Sequence, residues 1–342
     1  MWAVFMKGMG KLMKLIMYSV RDAEKPYIEA WAKKTGNDVK MVTEPLNADT
    51  VKLAEGYDGI SLQQTTKLGD EQLYEKLASM GIKQLAARMV GVDIFDLDAC
   101  KANGIIVTNV PIYSPRAIAE MGVTQAMYLL RQIGEFEQRM SHGDFRWSDD
   151  LISNEIYNLT VGIVGLGNIG GATAQIYKAL GAKVLAYDPS YNVEYEPYVE
   201  YTDFDTVVKN ADILSLHTPL LPSTENMIAA PQFKMMKDNA YLINMARGKL
   251  VNTADLISAL ENKEIAGAGL DTLADETSFF GKQVTPDQIP DDYKKLAAMP
   301  NVLVTPHVAF LTETSIRNMV EISLNDAVTI LEGKHSRNEI RM

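Results

Sequence analysis

The chain has 342 residues, of which 47% are hydrophobic and 23% are charged, and its formal net charge at pH 7 is −11. Because a single hydrophobic core seldom exceeds roughly 250–300 residues, this length predicts two domains. The acidic balance, without a basic stripe or polybasic run, argues against a nucleic-acid or anionic-membrane partner. The one cysteine, Cys100, excludes an internal disulfide and a cysteine-cluster metal site. We expect a cytoplasmic protein without a metal.

The first residues, 1–12, contain short apolar runs that Lys7 and Lys11 interrupt. No stretch there has the length of a secretory signal or approaches the roughly 20 apolar residues of a membrane-spanning helix. We interpret these residues as an extension that precedes the first strand.

From Lys14 onward, short apolar runs alternate with amphipathic stretches. Residues 14–19 predict a strand, and residues 24–34 predict a helix with Pro26 in its first turn. A helix is predicted over 70–81, and further strands are predicted in DVKMVT, GISLQ, KQLAAR and IIVTN. Strands separated by helices of this length predict a parallel sheet with right-handed crossovers.

A long helical pattern, 116–133, leads to a second series of strands that begins at Thr160. These strands are TVGIVG, AKVLAYD, ADILSLH, AYLINMA, AGAGLD and VLVTPH. They are apolar on both faces, which is typical of a parallel sheet covered on both sides. The last helical pattern, 312–333, follows the final strand, and we expect it to pack on the first domain.

A glycine-rich turn lies between the first strand of this series and the following helix. Its spacing is Gly165-x-Gly167-x-x-Gly170, and Asp188 ends the next apolar run. Gly165 permits a tight turn, Gly167 lets the backbone approach a pyrophosphate, and Gly170 brings helix and strand together. Asp188 would accept hydrogen bonds from ribose hydroxyls and repel a 2′-phosphate. The motif predicts an NAD site; the alternative is a glycine-rich turn that binds nothing.

Three further strands of the second series end in chemically active residues. Arg247 follows AYLINMA, and His307 follows VLVTP. Asp271 ends AGAGLD, and Glu276 follows it after four residues. Because open parallel sheets bind ligands beyond the carboxyl ends of their strands, we expect these groups around one crevice beside the cofactor. Taken singly, such an arginine can equally be a surface cation, and such a histidine a structural residue.

The chain resembles the D-isomer-specific 2-hydroxyacid dehydrogenases from about Lys14 to Gly333. The segments that carry the resemblance are the glycine-rich turn, INMARGKLVN, GAGLDTLADET, PNVLVTPHVAFLTETS and ARMVGVDIFDLDACKANGIIVTNVPIYSPRAIAE. Two of its motifs, NVPIYSP and HVAFLTETSIRNM, are most similar to the D-lactate dehydrogenase group. The resemblance implies NADH-dependent, stereospecific reduction of a 2-oxo acid, with pyruvate as the first expectation. It also implies a homodimer formed through helix 116–133 and its neighbours.

The expected fold class is α/β with two doubly wound parallel-sheet domains. The resemblance implies a flavodoxin-like, discontinuous substrate (catalytic) domain over 13–112 and 311–342. It implies a Rossmann NAD-binding domain over 113–310. We expect the two domains to close on the bound substrate and cofactor and to exclude water.

The resemblance also assigns roles to individual residues. His307 would be the general acid/base, since imidazole, with a pKa of ~6.5, exchanges protons near neutral pH. Glu276 would hydrogen-bond the imidazole and stabilise its protonated form, and Arg247 would bind the substrate carboxylate. The other expected substrate contacts are the backbone N–H groups of Val90 and Gly91, and the side chain of Tyr113. The other expected cofactor contacts are Asn168 and Ile169 at the pyrophosphate, Thr218 and Pro219 at the adenosine half, Thr224 at the phosphates, Met245 and Ala246 at the nicotinamide, and Asp271 near its carboxamide.

Departures from the family leave the substrate open. The segment DTLADE lacks an aromatic residue and a further glutamate that many D-lactate dehydrogenases carry, and Phe310 stands where a tyrosine is common. The first departure affects the local packing beside Glu276. Phe310 makes the wall of the pocket more apolar. With Leu62, Gln63 and Gln64 in the expected pocket loop, it makes bulkier 2-oxo acids, such as phenylpyruvate or 2-oxoisocaproate, an alternative to pyruvate.

The remaining notable residues have structural interpretations. The insert 277–295 carries Phe279 and Phe280, which we expect to be exposed and to cover the site or a subunit contact. We expect His142 and His335 to be exposed, His217 to support a strand near the adenosine, and Cys100 to be a packing residue.

A protein of another class, an NAD-sensing scaffold related to transcriptional corepressors, also fits the sequence. Such a scaffold would bind NADH with little turnover. Within the same fold, oxidation of formate or phosphoglycerate is not favoured. The extra active-site motif of the formate enzymes is missing, and phosphoglycerate would need additional basic residues near the pocket.

Overall fold

The computed structural model describes residues 12–64 and 66–341, and the chain forms two compact units. The first unit comprises the chain up to Ser114 and from Thr312 onward, and the second comprises Pro115–Leu311. The expected amino-terminal extension lies outside the described residues, apart from Leu12.

The elements of the described residues follow one another along the chain as strands and helices in alternation. The strands are β1 (Lys14–Tyr18), β2 (Asp38–Met41), β3 (Gly59–Leu62), β4 (Gln84–Ala87), β5 (Ile106–Thr108), β6 (Thr160–Val164), β7 (Lys183–Tyr187), β8 (Glu200–Tyr201), β9 (Ile213–Leu216), β10 (Tyr241–Asn244), β11 (Gly267–Leu270) and β12 (Val302–Val304). The α-helices are α1 (Lys25–Thr35), α2 (Glu71–Ser79), α3 (Leu97–Ala102), α4 (Pro115–Leu130), α5 (Ile133–Ser141), α6 (Asn168–Ala179), α7 (Phe204–Asn210), α8 (Ala230–Met235), α9 (Thr253–Glu261), α10 (Asp291–Ala297) and α11 (Glu313–Leu331).

The first unit is built on a parallel sheet in the order β2-β1-β3-β4-β5, which is the flavodoxin-like order. The last helix, α11, packs on β3 and β4 of this sheet. Its buried residues Ile316, Met319, Val320 and Leu324 recur at helical spacing, so one face of α11 covers the sheet.

The second unit is built on a parallel sheet in the order β12-β11-β10-β9-β6-β7-β8. The order reverses between β6 and β9, and this reversal is the switch point at which Rossmann folds bind dinucleotides. Strands β9 and β11 are buried at every position, which explains their continuous apolar sequences. The predicted fold class, with two doubly wound parallel sheets, is confirmed.

Two local expectations differ from the structure. The helix expected over 116–133 ends at Leu130, because Gln132 adopts a left-handed backbone (φ 51°) and α5 begins after it. The expected exposure of the insert's aromatic residues is wrong for Phe279, which is 8% exposed. Its ring packs against those of Phe280 and Tyr293, with centroid distances of 4.6 and 5.3 Å. The aromatic side chains of the insert thus bury one another.

The expected pocket loop of the first unit is also corrected. Leu62 is fully buried in the core on β3. Gln64 is buried as well, because its amide accepts a hydrogen bond from Leu46 N–H and donates to Leu46 O and Thr66 O. Of the three residues, only Gln63 is half-buried. In the described part of the chain, no helix is long and apolar enough to cross a membrane.

Candidate active site

The glycine-rich turn joins β6 to α6 at the switch point of the second sheet. Gly165 has φ 90°, and a Cβ there would lie 2.8 Å from Thr218 N, so both the backbone and the space require glycine. A Cβ at Gly170 would lie 2.0 Å from Gly165 O, which shows how closely α6 approaches the turn. A Cβ at Gly167 would meet nothing within 4 Å, so this side of the turn is open to a ligand. The N-terminus of α6, at Asn168 and Ile169, provides N–H donors for a pyrophosphate.

Asp188 follows β7 and is tied to this turn. Its Oδ2 accepts from Leu166 N–H and its Oδ1 from Ser190 N–H, both at 2.7 Å. Two backbone donors therefore orient this half-buried carboxylate beside the turn, where a ribose could donate to it. These residues fit the adenosine and pyrophosphate portions of NAD.

The residues that follow the carboxyl end of β9 lie beside the glycine-rich turn. The Thr218 hydroxyl donates to Val164 O at 3.1 Å, and the Thr224 hydroxyl closes its own turn by donating to Pro219 O at 2.7 Å. His217 Nε2 shares a hydrogen bond with Ser215 Oγ at 2.9 Å, and burial lowers the pKa of this imidazole to about 4. His217 is therefore a neutral residue at the end of the strand.

Arg247 projects from a turn that Asn244 holds in shape. The Asn244 side chain accepts from Ala246 N–H and donates to Arg247 O, at 3.0 and 2.9 Å. A Cβ at Gly248 would lie 2.0 Å from Leu273 C, so glycine lets this turn contact the segment that carries Glu276. The guanidinium is exposed, donates to Ala246 O, and forms no ion pair with any described residue. It is available to an anion.

Glu276 and His307, the expected acid–base pair, are in contact in the structure. His307 Nδ1 lies 2.7 Å from Glu276 Oε1. Since a carboxylate only accepts, Nδ1 carries the hydrogen. Glu276 Oε2 accepts from Leu273 N–H at 2.9 Å, so both carboxylate oxygens are used. His307 Nε2 has no hydrogen-bond partner among the described residues, and its side chain is 40% exposed.

Asp271 holds the segment on which His307 lies. The Asp271 carboxylate is buried and accepts from Thr305 Oγ, Val308 N–H and Ala309 N–H, at 2.5, 2.9 and 2.9 Å. Burial raises the pKa of this carboxyl, and the hydrogen bonds oppose that shift. Both oxygens are thus engaged within the protein. The expected contact of Asp271 with the nicotinamide carboxamide stays a prediction.

The structure also places the remaining residues that are expected to contact the substrate or the cofactor. Met245 is 5% exposed at the end of β10, and Ala246 packs against the core of the second unit. In the first unit, Val90 and Gly91 follow β4, and their backbone N–H groups donate to no described residue. Tyr113 is half-buried, and its carbonyl accepts from the Asn318 side chain at 2.5 Å. Their contacts with substrate or cofactor stay predictions.

The residues without an expected role are also placed. His142 and His335 are exposed, as predicted. Cys100 is fully buried on α3, and burial raises the pKa of its thiol to about 12, which agrees with a packing residue. Sequence reasoning missed Asn244, which shapes the arginine turn, and Thr305, which bonds Asp271. The available signals were a polar residue ending an apolar strand and a hydroxyl two residues before His307.

A Rossmann sheet with this glycine turn and a carboxylate after β7 is typical of dinucleotide-binding proteins, and Arg247, Glu276 and His307, which follow strands of the same sheet, fit an oxidoreductase of that class. Residues 123–309 match the family model described as D-isomer specific 2-hydroxyacid dehydrogenase, NAD binding domain.

Two solved structures and one further relative resemble the chain over nearly its whole length. The NAD-complexed D-isomer specific 2-hydroxyacid dehydrogenase from Lactobacillus delbrueckii ssp. bulgaricus is 57% identical, with a TM-score of 0.91, over 96% of this chain and 100% of that one. D-lactate dehydrogenase with NAD+ from Lactobacillus jensenii is 56% identical, with a TM-score of 0.93 and the same coverage. The D-lactate dehydrogenase of Lactiplantibacillus plantarum is 43% identical over 96% of this chain and 99% of its own length.

The chain therefore belongs to the D-isomer specific 2-hydroxyacid dehydrogenase family. It is an NAD-dependent oxidoreductase, and NAD is its cofactor. The resemblance inferred from the motifs is confirmed.

Proposed function

We propose that this enzyme uses NADH to reduce a small 2-oxo acid, with pyruvate preferred, to the D-2-hydroxy acid in a reversible reaction. The observation that carries the proposal is the 2.7 Å contact between His307 Nδ1 and Glu276 Oε1. It engages one ring nitrogen with a carboxylate and leaves Nε2 to exchange a proton with the substrate. Bound NADH supplies the hydride to the carbonyl carbon.

His307 and Glu276 supply and retake the proton. During reduction, protonated His307 donates its Nε2 proton to the carbonyl oxygen as that oxygen becomes a hydroxyl. The largely buried Glu276 carboxylate stabilises the imidazolium before this transfer and keeps Nδ1–H in place afterwards. During oxidation, neutral Nε2 accepts the hydroxyl proton.

Arg247 binds the substrate carboxylate in this proposal. Its guanidinium is planar and permanently charged, and it offers paired N–H donors that match a carboxylate. Its exposure, and the Asn244 bonds that shape its turn, support this role. The predicted contacts of Val90, Gly91 and Tyr113 with the substrate belong to the same proposal.

Two observations bear on the substrate. The relatives from L. jensenii and L. plantarum carry the name D-lactate dehydrogenase, which supports pyruvate. Phe310, three residues after His307, lacks the hydroxyl that the D-lactate dehydrogenase group commonly has at this position. A more apolar wall supports bulkier 2-oxo acids, such as phenylpyruvate and 2-oxoisocaproate, as the second candidate class.

The test compares NADH oxidation with pyruvate, phenylpyruvate and 2-oxoisocaproate. The key variant is His307→Asn, because asparagine tolerates the left-handed backbone of His307 (φ 55°) better than most residues. We expect wild-type turnover, loss of at least a thousandfold in His307→Asn, and no change in His335→Asn, whose imidazole is exposed. The ratios of kcat/KM identify the substrate class. Tight NADH binding without turnover would contradict the proposal and favour the scaffold hypothesis.

We also propose a homodimer. Family membership supports it, as do the exposed apolar side chains of Phe145, Trp147 and Ile152, which follow α4 and α5. Trp147 is 99% exposed, and such side chains commonly mark protein interfaces. Light scattering should give twice the chain mass at micromolar concentration, and Trp147→Ser should shift the protein towards the monomer. A monomeric wild type would refute this proposal.

A further inference from the structure

A buried glutamine on α4 contacts the strand that leads to the active site. Gln125 is fully buried, and a Cβ at Gly269 would lie 2.7 Å from Gln125 Oε1. Gly269, on β11, therefore makes room for this amide. Gln125 is separated by 180 residues from Thr305, yet its Nε2 donates to Thr305 Oγ at 2.8 Å. A helix far away in sequence thus reaches the loop that carries His307.

The direction of the hydrogen bonds follows from the groups involved. Thr305 has one hydroxyl hydrogen and lies between the Gln125 amide and Asp271 Oδ1. A carboxylate only accepts, so the hydroxyl donates to Asp271 and accepts from the amide. With the Gln125 amide reversed, the hydroxyl hydrogen would have to serve two acceptors at once. The two hydrogen bonds therefore run in one direction, from the Gln125 amide to the Thr305 hydroxyl and from that hydroxyl to the Asp271 carboxylate.

Asp271 in turn holds the backbone of the loop that carries His307, residues 305–309. Its carboxylate accepts from Val308 N–H and Ala309 N–H, and its carbonyl accepts from His307 N–H at 2.8 Å. His307 itself has φ 55°, a conformation that an L-residue seldom adopts unless its surroundings impose it. The hydrogen bonds on both sides of His307 impose it here.

We propose that Gln125 and Thr305 are positioning residues, which hold Asp271 as an acceptor and thereby hold His307 in its left-handed backbone with Nε2 in register for proton transfer. This inference rests on the proposed function for its effect on rate. Its structural part, the order of the 305–309 loop, does not depend on the substrate. A general base displaced by about 1 Å can lose about a hundredfold in rate, so the expected effect on kcat is large.

The test uses Thr305→Val, Thr305→Ser, Gln125→Met and the double variant Thr305→Val/Gln125→Met. We expect Thr305→Val to lower kcat for pyruvate reduction ten- to hundredfold, with KM and the NADH dissociation constant changed less than threefold. Thr305→Ser should recover at least a third of wild-type kcat. Because Gln125 acts through Thr305, the double variant should lose no more than Thr305→Val alone.

Hydrogen exchange of the Val308 and Ala309 amides provides a measurement that does not need turnover. We expect exchange at least tenfold faster in Thr305→Val and Gln125→Met, and recovery in Thr305→Ser. The matched controls are Gln84→Met and Thr108→Val, which alter fully buried polar residues of the first unit. They should leave both kcat and this exchange unchanged.

Each outcome decides the inference. If wild type turns over pyruvate but Thr305→Val keeps its kcat and its slow exchange, the inference is overturned and the proposed function stands. If wild type turns over no 2-oxo acid, the proposed function fails, and faster exchange in the variants still supports the positioning chain. If Thr305→Val does not fold, Gln125→Met decides, because it removes no hydrogen-bonding group of the 305–309 loop itself. Additive losses in the double variant would show that Gln125 does not act through Thr305.

Discussion

Replacing Glu276 with glutamine should slow catalysis strongly without unfolding the enzyme. Glu276 uses one oxygen to accept from His307 Nδ1–H and the other to accept from Leu273 N–H. Glutamine has nearly the same shape but only one oxygen. Its amide must therefore point NH2 either at Nδ1, which disturbs the ring tautomer, or at Leu273 N–H, which places two donors together.

The magnitude follows from what is lost at Nδ1. The bond is short and partly buried, with 18% of the Glu276 side chain exposed. A hydrogen bond that involves a charged group contributes roughly 1.5–3 kcal/mol. At about 1.4 kcal/mol per factor of ten, its loss in the transition state lowers kcat/KM by about 10- to 150-fold.

The assay measures initial rates of NADH oxidation against pyruvate, together with NADH binding and the melting temperature. Glu261→Gln is the matched control, because Glu261 is an exposed residue at the end of α9. We expect unchanged binding and a melting temperature close to that of wild type in both variants. If folded Glu276→Gln kept kcat/KM within twofold of wild type, Glu276 would not support the acid–base residue.

Three further predictions concern specificity and stability. Asp188→Ser should reduce the preference for NADH over NADPH by at least about tenfold, because it removes the carboxylate that would repel a 2′-phosphate. Burial lowers the pKa of His217 to about 4, so between pH 6.5 and 4 the unfolded chain binds a proton that the folded chain does not. Stability should therefore fall as the pH decreases through this window, by up to about 3 kcal/mol, and His217→Gln should remove that loss. Arg88→Met should destabilise the first unit by about 3–5 kcal/mol, because it leaves Glu24 buried without the guanidinium that donates to it at 2.9 Å.

Each of these has a clear contrary result. An unchanged ratio of kcat/KM for NADH and NADPH would rule out Asp188 as the discriminating residue. Equal pH slopes of the unfolding free energy in wild type and His217→Gln would show that His217 titrates normally. For Arg88, the comparison is Lys183→Met, which breaks the exposed pair with Glu200 and should cost less than about 1 kcal/mol in urea unfolding; equal losses would refute the argument.

The sequence alone predicted the features whose physics is local. The dinucleotide motif is one short segment: a strand, a turn with Gly165, Gly167 and Gly170, and the first turn of a helix. Its geometry therefore depends on neighbouring residues and can be predicted from the local sequence. The alternation of apolar runs with helical patterns likewise predicted the two parallel sheets. The roles assigned to Arg247 and His307 depended on the family resemblance, since each residue alone has an ordinary structural interpretation.

The tertiary structure decided which distant residues meet. Glu276 and His307 are 31 residues apart, and Gln125 and Thr305 are 180 apart; neither pair follows from periodicity. Periodicity reveals which face of an element is buried but not which element covers it, and that depends on strand order and on helix packing. For the same reason Phe279, expected at the surface, is buried against its neighbours. Local chemistry therefore determined the cofactor turn and the strand ends, whereas packing alone determined the hydrogen bonds that hold His307 in place.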